Sequence, residues 1–159
     1  QALGDIHQSS AEQLAEMMAH VREDVPNEGC GMLGGQDGAV LAVFPARNAA
    51  ASPIRFTIHP EDLLQIVRTV EYERNWQIVG IFHSHVASPA YPSATDVAEA
   101  EFDMGNGEMA ERYPGVVHVV ISLANPAEPD MRGYTIRQGE IAPVTLRVVP
   151  EEAAAGRAT

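Results

Sequence analysis

Two histidines, a serine and an aspartate with the residue types of a metal site lie close together in the chain: His83, His85, Ser93 and Asp96. An apolar, β-branched run, residues 77–82, comes directly before them and predicts a buried strand that ends at the histidines. Residues i and i+2 of a strand point to the same face, so both imidazoles should project together. The segment from Ser93 reads as a helix start that should return the Asp96 carboxylate towards them. Two histidines, one carboxylate and a fourth position for water form a catalytic zinc arrangement.

Each half of this pattern also has an ordinary structural explanation. A His-x-His pair at a strand end is commonly structural or simply exposed. Ser93-x-x-Asp96 alone is a helix capping box with Ser93 as the N-cap. Helix zinc sites of the HExxH type are excluded because that motif is absent, and the P-C-x-x-C segment of the zinc deaminases is absent as well. Nucleophilic catalysis by a serine or cysteine stays possible, but no motif such as GxSxG surrounds a candidate.

The full spacing, His-x-His-x7-Ser-x2-Asp, matches the JAMM signature of the MPN-plus zinc metalloproteases at every fixed position, and the chain resembles that family. The family pairs this signature with a glutamate on an early strand, inside a Pro-x-Glu-x-Cys-Gly-like segment. The corresponding segment of this chain, residues 26–31, reads PNEGCG and contains Glu28. The likeness extends from about Ile6 to Val149 and is greatest to the compact prokaryotic members.

The resemblance implies roles for five residues. His83, His85 and Asp96 would bind Zn2+, which activates a water molecule. Glu28 would take the proton of that water as general base and pass it to the leaving amine. Ser93 would donate a hydrogen bond to the developing oxyanion. Taken alone, the glutamate reads as an ordinary solvated turn residue, and only its place in the matching segment favours a catalytic role.

The family implies a zinc-dependent peptidase or isopeptidase that hydrolyses the bond after the C-terminal Gly-Gly of a ubiquitin-like or sulfur-carrier protein. Such a tail should lie beside a sheet edge and pass through a narrow channel to the metal. The expected walls are Ile58–Arg74 and the loop beyond Asp96, where Gly105 and Gly107 permit movement. Two alternatives stay open: a non-catalytic MPN protein-binding module, and a zinc hydrolase of small amides.

Length and composition limit the number of domains, the partners and the location of the protein. A chain of 159 residues suits one domain, which we place at residues 1–149 with a flexible tail at 150–159. The net charge of −12 argues against nucleic acid as a partner. No apolar run is long enough to span a membrane, and no signal peptide is visible.

The single cysteine, Cys30, can form no internal disulfide, which favours the cytoplasm. Its thiol either belongs to the core or lies near the metal, where it would be redox-sensitive.

The elements that must position the site form a mixed α/β pattern. We expect a central mixed β-sheet flanked by helices, the MPN/JAMM fold with a layering similar to cytidine deaminases. Helices are expected after the capping box Ser10–Gln13, from Pro60, and over Ser93–Met104. The second should bury a stripe of Leu63, Leu64, Ile66, Val67 and Val70. The expected strands are Gly29–Leu33 and Val40–Phe44, which form a hairpin with a turn over residues 34–38, Val116–Leu123, and a final hairpin of Arg132–Ile136 and Ile141–Val149. His118, inside the third of these strands, is expected to be a packed strand residue.

Overall fold

The structure of the protein is a computed structural model that describes residues 6–150. Within that range nine strands and three α-helices are formed. The strands are β1 (Ile6–Ser10), β2 (Cys30–Gln36), β3 (Ala39–Ala46), β4 (Gln77–His85), β5 (Glu101–Asp103), β6 (Met109–Glu111), β7 (Val117–Ser122), β8 (Asp130–Arg137) and β9 (Glu140–Val149). The helices are α1 (Ala11–Asp24), α2 (Pro60–Val67), which continues as a π-helical segment (Arg68–Glu73), and α3 (Ala94–Ala100).

Seven strands form one mixed sheet in the order β1-β3-β2-β4-β7-β8-β9. β4 and β7 are parallel neighbours, whereas β2 is antiparallel to both β3 and β4, and β8 to both β7 and β9. β1 runs parallel to β3 and β9 and joins the two edges, so the sheet closes into a barrel. The predicted central mixed sheet is confirmed. Its closure by β1 is an additional finding, since the residues before Ser10 show no alternating strand pattern.

The hairpin of β2 and β3 turns within two residues. Asp37 and Gly38 both have positive φ, 52° and 78°, as a two-residue type I′ turn requires. The predicted turn over residues 34–38 is therefore too long. Gly35 belongs to β2, where the pairing register shifts, and a Cβ atom there would lie 1.8 Å from the Ala39 carbonyl oxygen. Only glycine fits that position.

The predicted helix starts at Ser10 and Pro60 are confirmed. Ser10 accepts a hydrogen bond from the Gln13 backbone, and the Gln13 side chain accepts one from Ser10, which completes the capping box of α1. Pro60 lies in the first turn of α2. One member of the predicted stripe is wrong, because Leu64 is 61% exposed. It lies about 100° around the helix from Leu63, outside the face that the other members share.

The predicted helix over Ser93–Met104 is too long. α3 ends at Ala100, and the next residues form β5, which pairs with β6. The Glu101 carboxylate is buried and accepts backbone hydrogen bonds from Gln138 at 2.7 Å and Gly139 at 2.9 Å. These bonds satisfy a buried charge at the β8–β9 turn, and they hold the chain in an extended conformation at the point where the helical pattern would continue.

Two apolar cores lie on opposite faces of the sheet. Adjacent residues of β4 point to opposite sides: Phe82 packs with Met17 and Val21 of α1, and Ile81 packs in the core that contains Ile66 of α2. The predicted arrangement of helices on the sheet faces is confirmed. The two site histidines of β4 continue the face of Ile81, so they open towards α2. No helix within residues 6–150 has both the length and the apolar character needed to cross a membrane.

Candidate metal centre and active site

The end of β4 brings the two histidines of the motif together. His83 and His85 are almost fully buried, with 2% and 3% of their surface exposed. Their Nε2 atoms lie 3.2 Å apart. Asp96, in the first turn of α3, places Oδ2 at 3.1 Å from Nε2 of His83 and 3.0 Å from Nε2 of His85. Three atoms that can bind a metal therefore converge.

The triangle of these atoms has the dimensions of one face of a zinc coordination tetrahedron. Metal–ligand bonds of about 2.0–2.1 Å place tetrahedral ligands about 3.3 Å apart, close to the observed 3.0–3.2 Å. Among residues 6–150 this is the one group of three or more His, Cys, Asp or Glu side chains close enough to share an ion. The side chains present fit a divalent metal.

The surroundings of the two rings fix their orientation. His85 Nδ1 lies 2.8 Å from the carbonyl oxygen of Pro89, which can only accept a hydrogen bond. Nδ1 of His85 therefore carries a proton, which leaves Nε2 as the ring nitrogen that can bind a metal. The His83 ring stacks on Phe56, with 4.4 Å between ring centroids and 21° between the planes. Its Nδ1 is buried and has no hydrogen-bond partner within residues 6–150.

Ser93 and Asp96 form the helix capping box, and Asp96 also contacts both histidines, so the structural and the functional explanation of their spacing hold together. The Ser93 hydroxyl accepts a hydrogen bond from the Asp96 backbone, and Asp96 Oδ2 accepts one from the Ser93 backbone, so the capping box is present. The same Oδ2 faces both histidines. Burial acts to raise the pKa of Asp96, but the hydrogen bonds to the His83 and His85 rings outweigh it and hold that pKa well below its usual range. A carboxylate is thus available as a ligand.

Glu28 lies directly before β2, beside the histidine pair. β2 and β4 pair Cys30 with His83, and the same register continued by two residues places Glu28 opposite His85. The side chain is 3% exposed, and its Oε1 has no hydrogen-bond partner within the described part of the chain. Burial raises the pKa of Glu28 to about 7. The glutamate is therefore not the solvated turn residue that its local sequence suggests.

A pair of hydrogen bonds that the sequence analysis did not identify holds Glu28 beside the histidines. The Gly29 backbone donates to the Ser84 hydroxyl at 2.8 Å, and the Ser84 backbone donates to the Gly29 carbonyl at 3.0 Å. A Cβ atom on Gly29 would lie 2.7 Å from Cα of Val21, so the segment also packs closely against α1. The sequence offered one indication of this role: Ser84 is a polar residue within a predicted buried strand, on the face opposite to both histidines.

A cavity of about 400 Å³ opens from the candidate metal site across the face of the sheet. Its lining includes Ile58, Pro60 and Leu63 on one side, and Glu99 and Ala100 on the other. The first wall lies within the predicted Ile58–Arg74 segment, whereas the second is the end of α3 rather than the predicted loop beyond Asp96. Gly105 and Gly107, which were expected in that loop, do not line the cavity and lie in the turn between β5 and β6.

The single cysteine and three further histidines lie outside the group of His83, His85 and Asp96, each in a different environment: Cys30, His20, His59 and His118. Cys30 is fully buried in the core on the α2 side, and burial raises the pKa of its thiol to about 12. His20 lies within hydrogen-bond distance of the carbonyl oxygens of Cys30 and Ala46, and His59 caps α2. His118 is a strand residue as predicted, but it also lines the cavity.

Comparison with known proteins agrees with this geometry. Residues 10–137 match the family described as prokaryotic homologues of the JAB domain. The CysO-cysteine peptidase of Mycobacterium tuberculosis is 32% identical over 143 residues, 89% of this chain and 90% of that protein. The desampylase of Haloferax volcanii is 32% identical over 120 residues, 71% of this chain and 78% of that enzyme. A solution structure from Desulfitobacterium hafniense superposes with a TM-score of 0.74 at 34% identity, covering 94% of this chain and 97% of that one.

The chain therefore belongs to the family of prokaryotic JAB-domain proteins. The family and the JAB/MPN fold predicted from the sequence are confirmed. The relatives are named as a peptidase and a desampylase, which confirms the predicted class of enzyme, a hydrolase of the JAMM type.

Proposed function

We propose that this protein is a zinc-dependent peptidase or isopeptidase that hydrolyses the bond after the C-terminal Gly-Gly of a ubiquitin-like or sulfur-carrier protein. The observation that carries the proposal is the convergence of His83, His85 and Asp96 on one point, with the buried Glu28 beside it. The names of the relatives, a CysO-cysteine peptidase and a desampylase, support the substrate class.

His83, His85 and Asp96 would hold the zinc ion through Nε2, Nε2 and Oδ2. Zinc in such a site would supply Lewis-acid polarisation of a carbonyl and would lower the pKa of a bound water molecule to about 7. Glu28 takes a proton from the attacking water. It then gives that proton to the leaving amine. Burial, which raises the pKa of Glu28 in the metal-free protein, favours the protonated form that makes this donation.

Ser93 is proposed to stabilise the negative charge that develops on the scissile carbonyl oxygen. Its hydroxyl oxygen already accepts the Asp96 backbone hydrogen bond, which leaves the hydroxyl proton free for donation. The fixed N-cap position orients this donor before substrate arrives. Removal of one such donor typically slows an enzyme by about 10²–10³.

The cavity beside the site is proposed to hold the carrier's extended tail. Its lining is largely apolar, with few charged groups, and it begins at His83 and Asp96. Glycine at the scissile position would let the backbone approach the site without a side chain that needs its own pocket. We also propose that residues 1–149 form one domain and that the enzyme acts in the cytoplasm.

The test compares two fusions in which a ubiquitin-like carrier is joined through its C-terminus to a second protein. One ends in Gly-Gly and the other has leucine in place of the terminal glycine. We expect the zinc-loaded enzyme to release the carrier from the first at least about tenfold faster. Equal rates would contradict the Gly-Gly specificity. Binding of the fusion without hydrolysis would favour the non-catalytic binding module, and hydrolysis of small amides alone would favour the zinc hydrolase of small amides.

A further inference from the structure

His118 is a polar residue on the floor of an otherwise apolar part of the cavity. It lies on β7 in register with Ile81 of β4, and its neighbour on the same face, Val120, is in register with His83. Val120 and Ile136 line the cavity around it. The His118 imidazole therefore lies on the strand next to the one that carries the proposed metal ligands His83 and His85, opposite the residue two positions before His83.

The ring of His118 has no hydrogen-bond partner among residues 6–150. The side chain is partly exposed, and it lines the cavity. Burial lowers the pKa of His118 to about 4, so the ring is neutral under physiological conditions. A neutral imidazole offers one N–H donor and one nitrogen acceptor. A leucine or valine would suit this apolar surface better than a polar ring that makes no hydrogen bond within residues 6–150.

We infer that His118 binds the backbone of the substrate chain that lies in this cavity, through a hydrogen bond to one peptide group. A peptide group presents one donor and one acceptor, which is the complement of the neutral ring. In apolar sites a few polar groups of this kind fix the orientation of the ligand. The inference rests on the proposed function, because that proposal places an extended peptide in the cavity, and it assigns His118 to substrate binding rather than to chemistry.

The first test uses the zinc-loaded full chain and the Gly-Gly fusion described above. His118→Leu should raise KM about three- to tenfold, the effect of losing one neutral hydrogen bond, with a smaller effect on kcat. His118→Gln retains a donor and an acceptor and should restore most of the lost affinity. The midpoint of thermal unfolding should be no lower for His118→Leu than for wild type. An unchanged KM, or equal losses in both variants together with lowered stability, would overturn the inference.

The second test does not depend on hydrolysis. A six-residue synthetic peptide ending in Gly-Gly is added to the metal-free wild-type protein, and the histidine ring signals are followed by NMR. The signal that disappears in His118→Leu identifies His118. It should move on addition of the peptide, and move less with a peptide whose backbone nitrogens are methylated. No movement would contradict peptide binding by His118. A wild-type enzyme that leaves the fusion intact would contradict the proposed function instead.

Discussion

Gly29 and Ser84 are joined by two hydrogen bonds, one from the Gly29 backbone to the Ser84 hydroxyl and one from the Ser84 backbone to the Gly29 carbonyl. Ser84 lies between the two histidines, and Gly29 directly follows Glu28. The hydroxyl of a residue that faces away from the metal site thus links the proposed general base to the proposed ligand strand. Since Ser84 is fully buried, no solvent competes for this bond.

We predict that Ser84→Ala lowers both stability and turnover while the protein still binds zinc. The change leaves the buried Gly29 N–H without an acceptor, at a cost of about 1–3 kcal/mol in the free energy of unfolding. The freed segment would also displace Glu28, and small misplacements of a catalytic group reduce kcat by up to about 10²-fold. Denaturant unfolding and steady-state kinetics measure the two effects.

Ser10→Ala is the matched control for this prediction. Ser10 is equally buried, and its hydroxyl also accepts a hydrogen bond from a backbone N–H, but at the start of α1. Its loss should cost about 1 kcal/mol of stability and leave kcat unchanged. If both variants kept wild-type kcat, the link between Ser84 and Glu28 would have no catalytic role.

The raised pKa of Glu28 predicts a pH dependence of stability in the metal-free protein. The folded-state value of about 7 lies above the ordinary 4.5, so folding favours the protonated carboxyl. Its contribution to stability is fully present below pH 4.5 and is lost as the pH rises through about 7. In Glu28→Gln the side chain stays neutral. The variant should therefore become more stable than wild type across this range, by at most about 3 kcal/mol.

Chemical denaturation in the presence of a chelator, at intervals from pH 4.5 to 8, checks this prediction. The quantity to follow is the difference in unfolding free energy between Glu28→Gln and wild type, which removes the titrations that both proteins share. A difference that stays constant with pH would show that Glu28 keeps an ordinary pKa and is not buried as described.

Cys30 is predicted to be a core residue without redox reactivity. Burial raises the pKa of its thiol to about 12, and the nearby carboxylates of Asp24 and Asp62 act in the same direction. Thiol reagents attack the thiolate, so a disulfide reagent at pH 8 should leave the native protein unmodified and react at once in denaturant. The chain has one cysteine, so the signal has one source. Complete modification of the native protein within minutes would contradict a buried thiol.

The convergence of His83, His85 and Asp96 could be predicted because it depends on residue types and on the two-residue period of a strand. His83 and His85 needed only a strand to project together, and the capping spacing of Asp96 placed its carboxylate at a helix start. The contacts that orient them depend on chain segments whose approach no local pattern encodes. The Pro89 carbonyl on His85 and the Phe56 ring on His83 are of this kind.

The end of α3 is a feature of the fold that the local sequence could not predict. Residues after Ala100 continue an acceptable helical pattern, yet Glu101 bonds to the backbone of a turn 37 residues further along the chain. Tertiary hydrogen bonds of a buried carboxylate overrode the local propensity there. Closure of the sheet likewise depends on the pairing of β1 with β9, near the opposite end of the described chain.

The measurement that tests the central claim most directly is zinc-dependent hydrolysis of the Gly-Gly fusion by wild type, Asp96→Asn and Glu28→Gln. Metal-free wild type should be inactive, and one equivalent of zinc should restore full activity. Asp96→Asn should bind zinc more weakly. Glu28→Gln should bind one equivalent and lose about 10²–10⁴ in turnover, whereas Glu101→Gln, a buried carboxylate outside the site, should keep it. Hydrolysis by the metal-free protein, or near-normal turnover by zinc-loaded Glu28→Gln, would contradict the account.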